Sequence, residues 1–263
     1  MILQANDILL LFLIILLGFL GALSDSALGM GYGLLSPILL SIGLDPLIIV
    51  PVLLISQMTT GFTGTIFHSF YKNVDLSSKH TQDIKASVLF VLMGLSGMTL
   101  AVLLTINLSK EYVMLYIGIM VCVGGILMLP EINFPFSWTR LYVLSIIASF
   151  NKAISGGGYG PIMTVGQMTS GRESRESVAV TDLSEACLSG YGFILYLILN
   201  TFSENLLLTF ELALIMILSG IVATPIGALF TKKLRKKVTK KIIGALSITI
   251  GIFTILRFIY AIL

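Results

Sequence analysis

Two short stretches hold most of the side chains in this sequence that could do chemistry. "SDSALGMGYG" (24–33) carries Ser24, Asp25, Gly31, Tyr32 and Gly33, and "NKAISGGGYG" (151–160) carries Asn151, Lys152, Ser155, Gly157, Gly158, Tyr159 and Gly160. A lysine ammonium, several hydroxyls and backbone N–H groups bared by glycine turns are all donors, a set suited to a small oxyanion. Asp182 and Glu185 stand three residues apart and so share one helix face. Either could accept a proton near neutral pH if it stands in a low-dielectric site. They could equally pair with Lys152 or with Arg172 and Arg175, or lie at an interface with no special role. Lys152 itself has three readings: binding an anion, pairing with Asp25 for structure alone, or snorkelling from a shallow turn. The two histidines, His68 and His80, fall at or beyond the end of an apolar run and form no metal motif. No phosphate-binding P-loop pattern occurs, and no metal site or cofactor is expected.

The surroundings of these residues are oil. Of 263 residues 56% are hydrophobic and only 11% charged, with a mean hydropathy of +1.02. A soluble domain carries about 25% charged residues, so the composition indicates a polytopic, all-α membrane protein. The net charge of +3 does not indicate nucleic-acid binding, because the cations sit in a few loops between apolar runs. Cys122 and Cys187 both lie within apolar runs and read as packing residues. Residues 1–6 lack Lys and Arg, so 7–23 reads as part of the fold rather than a signal peptide.

Apolar runs lie at about 7–23, 34–42, 47–69, 86–106, 111–130, 140–150, 159–169, 178–200, 207–230 and 242–263. Six approach the roughly 20 residues needed to cross a bilayer, whereas 34–42, 140–150 and 159–169 are too short to cross alone. Laying 24–37 over 151–164 matches Gly29, Gly31, Tyr32 and Gly33 with Gly156, Gly158, Tyr159 and Gly160. The same comparison sets Asp25 against Lys152 and Ser24 against Asn151. With one residue inserted, Gly43 falls on Gly171 and Ser56-Gln57 on Ser184-Glu185. The chain therefore reads as two repeats: 1–135 with a hairpin at 7–42 plus three spans, and 136–263 with a hairpin at 140–169 plus three spans.

Charge selects between two topologies. If the glycine stretches were kinks in continuous spans, loop cations would divide ten to four across the membrane. If 7–42 and 140–169 are re-entrant hairpins, thirteen share one face and Lys110 stands alone opposite. The positive-inside rule favours the hairpins. Each half then has an odd number of crossings, so the repeats are inverted. Both termini are expected outside and 231–241, with "KKLRKK", in the cytoplasm, where it also suits anionic lipid headgroups. Inverted repeats with broken helices meeting near the midplane are a transporter architecture.

The motifs "GALSDSALGMGYGLLSP" and "FNKAISGGGYGP", each opening a half of the chain, resemble the TauE/SafE sulfite exporter family. The resemblance covers the whole chain in layout and about 40 residues in motif, though Asp25, Ser26 and Met30 replace expected glycines in the first. It implies export of sulfite or an organosulfonate across a bacterial plasma membrane, with no enzyme activity. Taken with the residues, it leads us to expect a secondary transporter working by alternating access, with Ser24, Asp25, Gly31, Tyr32, Gly33, Gln57, Asn151, Lys152, Ser155, Gly157, Gly158, Tyr159 and Gly160 around a small anion. A homodimer is left open. "GYG" occurs twice and resembles a potassium-channel filter, but Leu28-Gly29-Met30 and Ser155-Gly156-Gly157 precede it rather than Thr-Val. A re-entrant-loop channel, or a carrier of another small organic anion, is the alternative; a membrane enzyme would need a nucleophile or metal set that the sequence lacks.

Overall fold

Local chemistry sets where the helices begin and end. Asp45 precedes Pro46 and its carboxylate accepts the Leu47 N–H at 2.9 Å, opening a helix with proline at a position where no donor is needed. Ser137 caps the helix beginning at Trp138 by accepting from the Arg140 N–H. Gly29 (φ +69°) and Gly156 (φ +70°) end two helices in the left-handed conformation that glycine alone adopts at little cost. Gly43 (φ +96°) and Gly171 (φ +88°), the other glycines matched by the internal comparison, also share that region.

In the computed structural model the described residues are 5–76, 82–127, 129, 135–199, 201, 205–231 and 236–262. Among them are ten α-helices and no β-strand: α1 (Ala5–Leu28), α2 (Leu35–Ser41), α3 (Pro46–Phe70), α4 (Gln82–Thr105), α5 (Lys110–Leu127), α6 (Trp138–Ser155), α7 (Tyr159–Thr169), α8 (Ser174–Ile198), α9 (Leu206–Phe230) and α10 (Lys236–Ile262). A short 3-10 turn, Tyr32–Leu34, leads into α2. The architecture is all-α and polytopic, with six described helices (α1, α3, α4, α5, α8 and α9) long and apolar enough to cross a membrane.

The glycine stretches break helices as expected, but the first arms run further than the apolar runs suggested. α1 continues past residue 23 through Ser24, Asp25 and Ser26, and α6 past residue 150 through Asn151 and Lys152. Hydropathy falls at these polar residues, yet the helix persists because their side chains find partners within the protein. The first arm thereby reaches the length of a full span. Part of the basic segment 231–241, residues 232–235, lies outside the described residues.

Packing follows a pattern that reads alike from either half. α1 lies along α9, and α6 along α4; α3 packs on α8 and α9, and α8 on α3 and α4; α5 pairs with α10. Of the six spans α3 and α8 are the most enclosed, 67% and 72% buried, against 28–39% for the others. These two therefore carry the polar interior, while α1, α4, α5, α9 and α10 turn leucine, isoleucine and phenylalanine outward. α3 and α8 run antiparallel: Gly64 sits beside Asp182, Gly61 beside Ala186, Met58 beside Gly190 and Leu54 beside Gly192. Side-chain contacts also tie the loops at one end. Arg172 reaches Asp83 and Arg140 donates to Ser170, while Lys110 pairs with Asp45 elsewhere.

The two glycine turns meet backbone to backbone. A Cβ built on Gly157 would lie 2.8 Å from the Tyr32 carbonyl oxygen, and one on Gly33 would lie 3.4 Å from the Gly158 nitrogen. Gly156 combines a positive φ with a Cβ position 2.8 Å from a Leu53 methyl. Gly156→Ala is expected to cost about 1–3 kcal/mol in strain and overlap, read as a lowered midpoint for thermal unfolding in detergent. Gly43→Ala has the same sign of φ but open space around it, and should cost only the conformational part.

Candidate functional site

Lys152 sits in the last turn of α6, where a cation faces the negative end of the helix dipole, and the αL cap at Gly156 donates to its carbonyl at 2.8 Å. Its side chain reaches inward between α3 and α8 and is 0% exposed. There Nζ pairs with Glu185 Oε1 at 3.0 Å and donates to Gln57 Oε1. The Tyr32 ring lies 5.6 Å from Nζ, within cation–π range. Glu185 Oε2 makes no hydrogen bond of good geometry, although the Gly160 amide lies beside it.

Asp25 does not contact Lys152 directly. Gln57 stands between them, donating Nε2 to Asp25 Oδ2 at 2.6 Å while accepting from Lys152. Asp25 Oδ1 accepts the Gly31 N–H at 2.9 Å, so a carboxylate already satisfies a donor of the first turn. The sequence comparison set Lys152 against Asp25; the structure pairs Lys152 with Glu185 instead, because α8 brings that carboxylate across from α3. The cluster is an alternating chain: Gly31 N–H, Asp25, Gln57, Lys152, Glu185.

The remaining expected residues divide. Tyr32 donates to or accepts from Ser56 (2.9 Å) and Thr60 (3.0 Å), and Tyr159 donates to Ser184 at 3.0 Å with Ser145 at 3.4 Å. Both rings are buried, and their hydroxyls tie the first turn to α3 and the second to α8 and α6. Asn151 accepts from Tyr116 and thereby links α6 to α5. The single hydroxyl proton of Ser155 is shared between the Asn151 and Gly157 carbonyls, its oxygen accepts the Gly157 N–H, and its own carbonyl accepts from Ser36. Ser24 donates to the Leu20 carbonyl and takes no part in the cluster. Gly158 caps α7 without any side-chain partner, leaving the first N–H groups of α7 uncapped by side chains.

A cavity with about 40 Å³ of internal space adjoins the turns, lined by Met30, Gly33, Ser155, Gly158 and Pro161 on one side. Residues of α5 and Ser247 of α10 close the other. It has room for a few waters or one small oxyanion. Lys152 is not on its wall.

Four residues that sequence reasoning passed over share the interior. Ser56, Thr60 and Ser184 hold the tyrosines, and the Ser56/Ser184 match was a signal for that. His68, set aside as a span-end residue, is wholly buried and faces Asp182, with Nε2 and Oδ2 3.4 Å apart. No group of three or more His, Cys, Asp or Glu residues that could hold a metal occurs among the described residues.

Removing one member of the central pair should be worse than removing both. Lys152→Met leaves Glu185 as an uncompensated buried charge and is expected to cost about 3–5 kcal/mol, whereas Lys152→Met with Glu185→Leu should recover most of it. Thermal unfolding of the three proteins in one detergent measures the difference. Equal loss in single and double variants would refute the pairing.

A family model described as "Sulfite exporter TauE/SafE" matches residues 14–254. The "Probable membrane transporter protein YtnM" of Bacillus subtilis (strain 168) is 26% identical over 254 residues, covering 92% of this chain and 81% of that protein. No solved structure matches.

Proposed function

Because the chain belongs to the TauE/SafE sulfite exporter family of membrane transporters, we propose that it is a secondary-active carrier of a small sulfur oxyanion, sulfite or an organosulfonate, working by alternating access around Lys152. One observation carries this reading: a lysine with no exposed surface, in the helix turn just before a glycine break, is held by a carboxylate and an amide on the two most enclosed helices. An unpaired charge in a membrane interior is costly. A lysine whose partner is displaceable is therefore a latent anion site.

The chemistry is an exchange of partners. In the closed arrangement Glu185 neutralises Lys152. When a proton binds Glu185, the ammonium loses its counter-charge and takes up the anion in its place. The uncapped N-terminal amides of α7 lie next to that position and add donors. Proton binding at Glu185 and anion binding at Lys152 thus favour one another, and linkage makes the effect reciprocal. The cavity beside Gly33, Ser155 and Gly158 is the approach to the site, and the turns must separate for an anion to pass from it to Lys152.

Two inverted repeats, 1–135 and 136–263, supply the alternation. Three observations support them: the paired helix contacts, the shared positive φ at Gly29/Gly156 and Gly43/Gly171, and the matching tyrosine–serine bonds. Arg172 against Asp83 and Arg140 against Ser170 support a common face for loops 70–85, 130–140 and 170–177, the face that the hairpin topology makes cytoplasmic. Both termini then lie outside.

Lys152→Ala in proteoliposomes is expected to abolish sulfite flux while the protein still assembles; wild-type flux in that variant would sink the proposal. Affinity for an alkylsulfonate, whose own charge is constant across the range, should rise as pH falls in the wild-type protein. Glu185→Gln should bind it more tightly and without pH dependence, as isothermal titration in detergent would show.

A further inference from the structure

His68, Asn73 and Asp182 form a second buried polar chain that the anion site does not use. Asn73 fixes its geometry. Its side-chain Nδ2 donates to the Ala228 carbonyl at 2.9 Å, an acceptor only, so that atom is the amide nitrogen. The same Nδ2 lies 2.9 Å from His68 Nδ1, which must therefore accept. The ring proton is then on Nε2, the nitrogen 3.4 Å from Asp182 Oδ2 and 3.5 Å from Ser26 Oγ. Asp182 Oδ1 is buried and has no hydrogen-bond partner. The carboxyl is thus oriented through one oxygen and left open at the other.

The chain has a direction. His68 lies near the end of α3 that leads to residues 71–76, and Asn73 is in that connection. Asp182 lies deeper, opposite Gly64, where any Cβ would meet Oδ2 at 2.8 Å. Among the described residues, α1 presents Ser26 to the imidazole and α8 presents Asp182, while the Ala228 carbonyl of α9 holds the Asn73 amide. Thr231 at the end of α9 closes the side by donating to the Ser26 carbonyl. Beyond Asp182, within electrostatic range, stand Glu185 and Asp25, and Lys152 faces them. Asp182 is thus the junction between the loop end of the bundle and the central cluster.

We infer that Asn73, His68 and Asp182 form a proton branch that connects the 71–76 end of the protein to the central site, with Asp182 as a proton-carrying carboxyl separate from Glu185. The transfer balances as follows. Asn73 swings away from Nδ1, and a hydronium at the loop end gives a proton to that nitrogen. Nε2 releases its own proton to Asp182 Oδ2, one N–H bond forming as the other breaks. Asp182 becomes a neutral acid, the histidine remains neutral in its other tautomer, and water is left behind. The starting tautomer returns by exchange with water, Nδ1 giving up its proton and Nε2 taking one on. This rests on the proposed proton-linked anion transport, whose proton at Glu185 needs a supply from one side of the membrane.

The test has one arm that requires no substrate. Infrared difference spectra between acidic and neutral pH, taken on the full-length protein in lipid, should contain a buried carboxyl C=O band. That band should vanish in Asp182→Asn, survive in Glu185→Gln, and move in frequency and midpoint in His68→Gln and Asn73→Ala. A spectrum in which every carboxyl band is unaltered in both Asp182→Asn and His68→Gln overturns the inference. Should Asp182→Asn fail to assemble, the His68 and Asn73 variants decide alone. In proteoliposomes the response of sulfite flux to an imposed pH gradient should drop at least tenfold in Asp182→Asn and His68→Ala, while sulfite binding stays within about twofold of wild type. A wild-type gradient response in both variants overturns the branch. Absence of any sulfite flux from the wild-type protein strikes at the anion reading instead, and leaves the infrared arm to judge the proton branch.

Discussion

The ion pair between Lys152 and Glu185 sets the terms for the rest of the molecule. A lysine and a glutamate with essentially no exposed surface persist inside a membrane protein because each finds the other, with Gln57 taking a further lysine proton. That requirement explains why α3 and α8 are the most enclosed helices. It explains why Gln57 spans the gap to Asp25, and why the interior holds serines and threonines where leucine would otherwise serve. It also demands that α6 end where it does. One turn earlier, Lys152 would not reach between α3 and α8; without the αL glycine after it, the chain could not turn back to place α7 beside Glu185.

Close backbone approach is the second constraint. The turns touch through Gly33, Gly157 and Gly158, and α3 meets α8 through Gly61, Gly64, Gly190 and Gly192. In a membrane, association relies on tight packing more than on the hydrophobic effect, and small residues supply it. The glycines thus do two different jobs. Gly29 and Gly156 supply a conformation, whereas those on α3 and α8 supply proximity.

Much of this architecture was legible in the sequence. Run lengths placed nearly every helix, because a chain in lipid has few alternatives to helix and each crossing needs about 20 residues. The paired "GYG" motifs located the breaks. Helix ends at polar residues were less legible, since hydropathy treats Asp25 and Asn151 as exits from the membrane when they are interior groups with partners. Site membership was only partly readable for the same kind of reason. Lys152 and Asp25 stand out as charges among apolar neighbours, but nothing local says that Glu185 rather than Asp25 takes the lysine; that depends on how α8 crosses α3. His68 does lie at a helix end, and position alone could not show that it is buried. A residue two places from a helix end is still interior when the following connection folds back over it, as Asn73 does.

The two tyrosine anchors have a bearing on how the protein is made. Tyr32 is tied to Ser56 and Thr60, and Asp25 to Gly31 and Gln57, all within the first 60 residues. The first turn can therefore have its polar groups satisfied as soon as α3 has left the ribosome and entered the bilayer, before any of the second half exists. Lys152 is placed differently. Of its partners, Gln57 is already waiting when it emerges, and Glu185 arrives 33 residues later. In chain order the amide comes first, the ammonium second and the carboxylate that completes the pair last. The order of the genetic message thus spares the membrane a prolonged encounter with a naked charge.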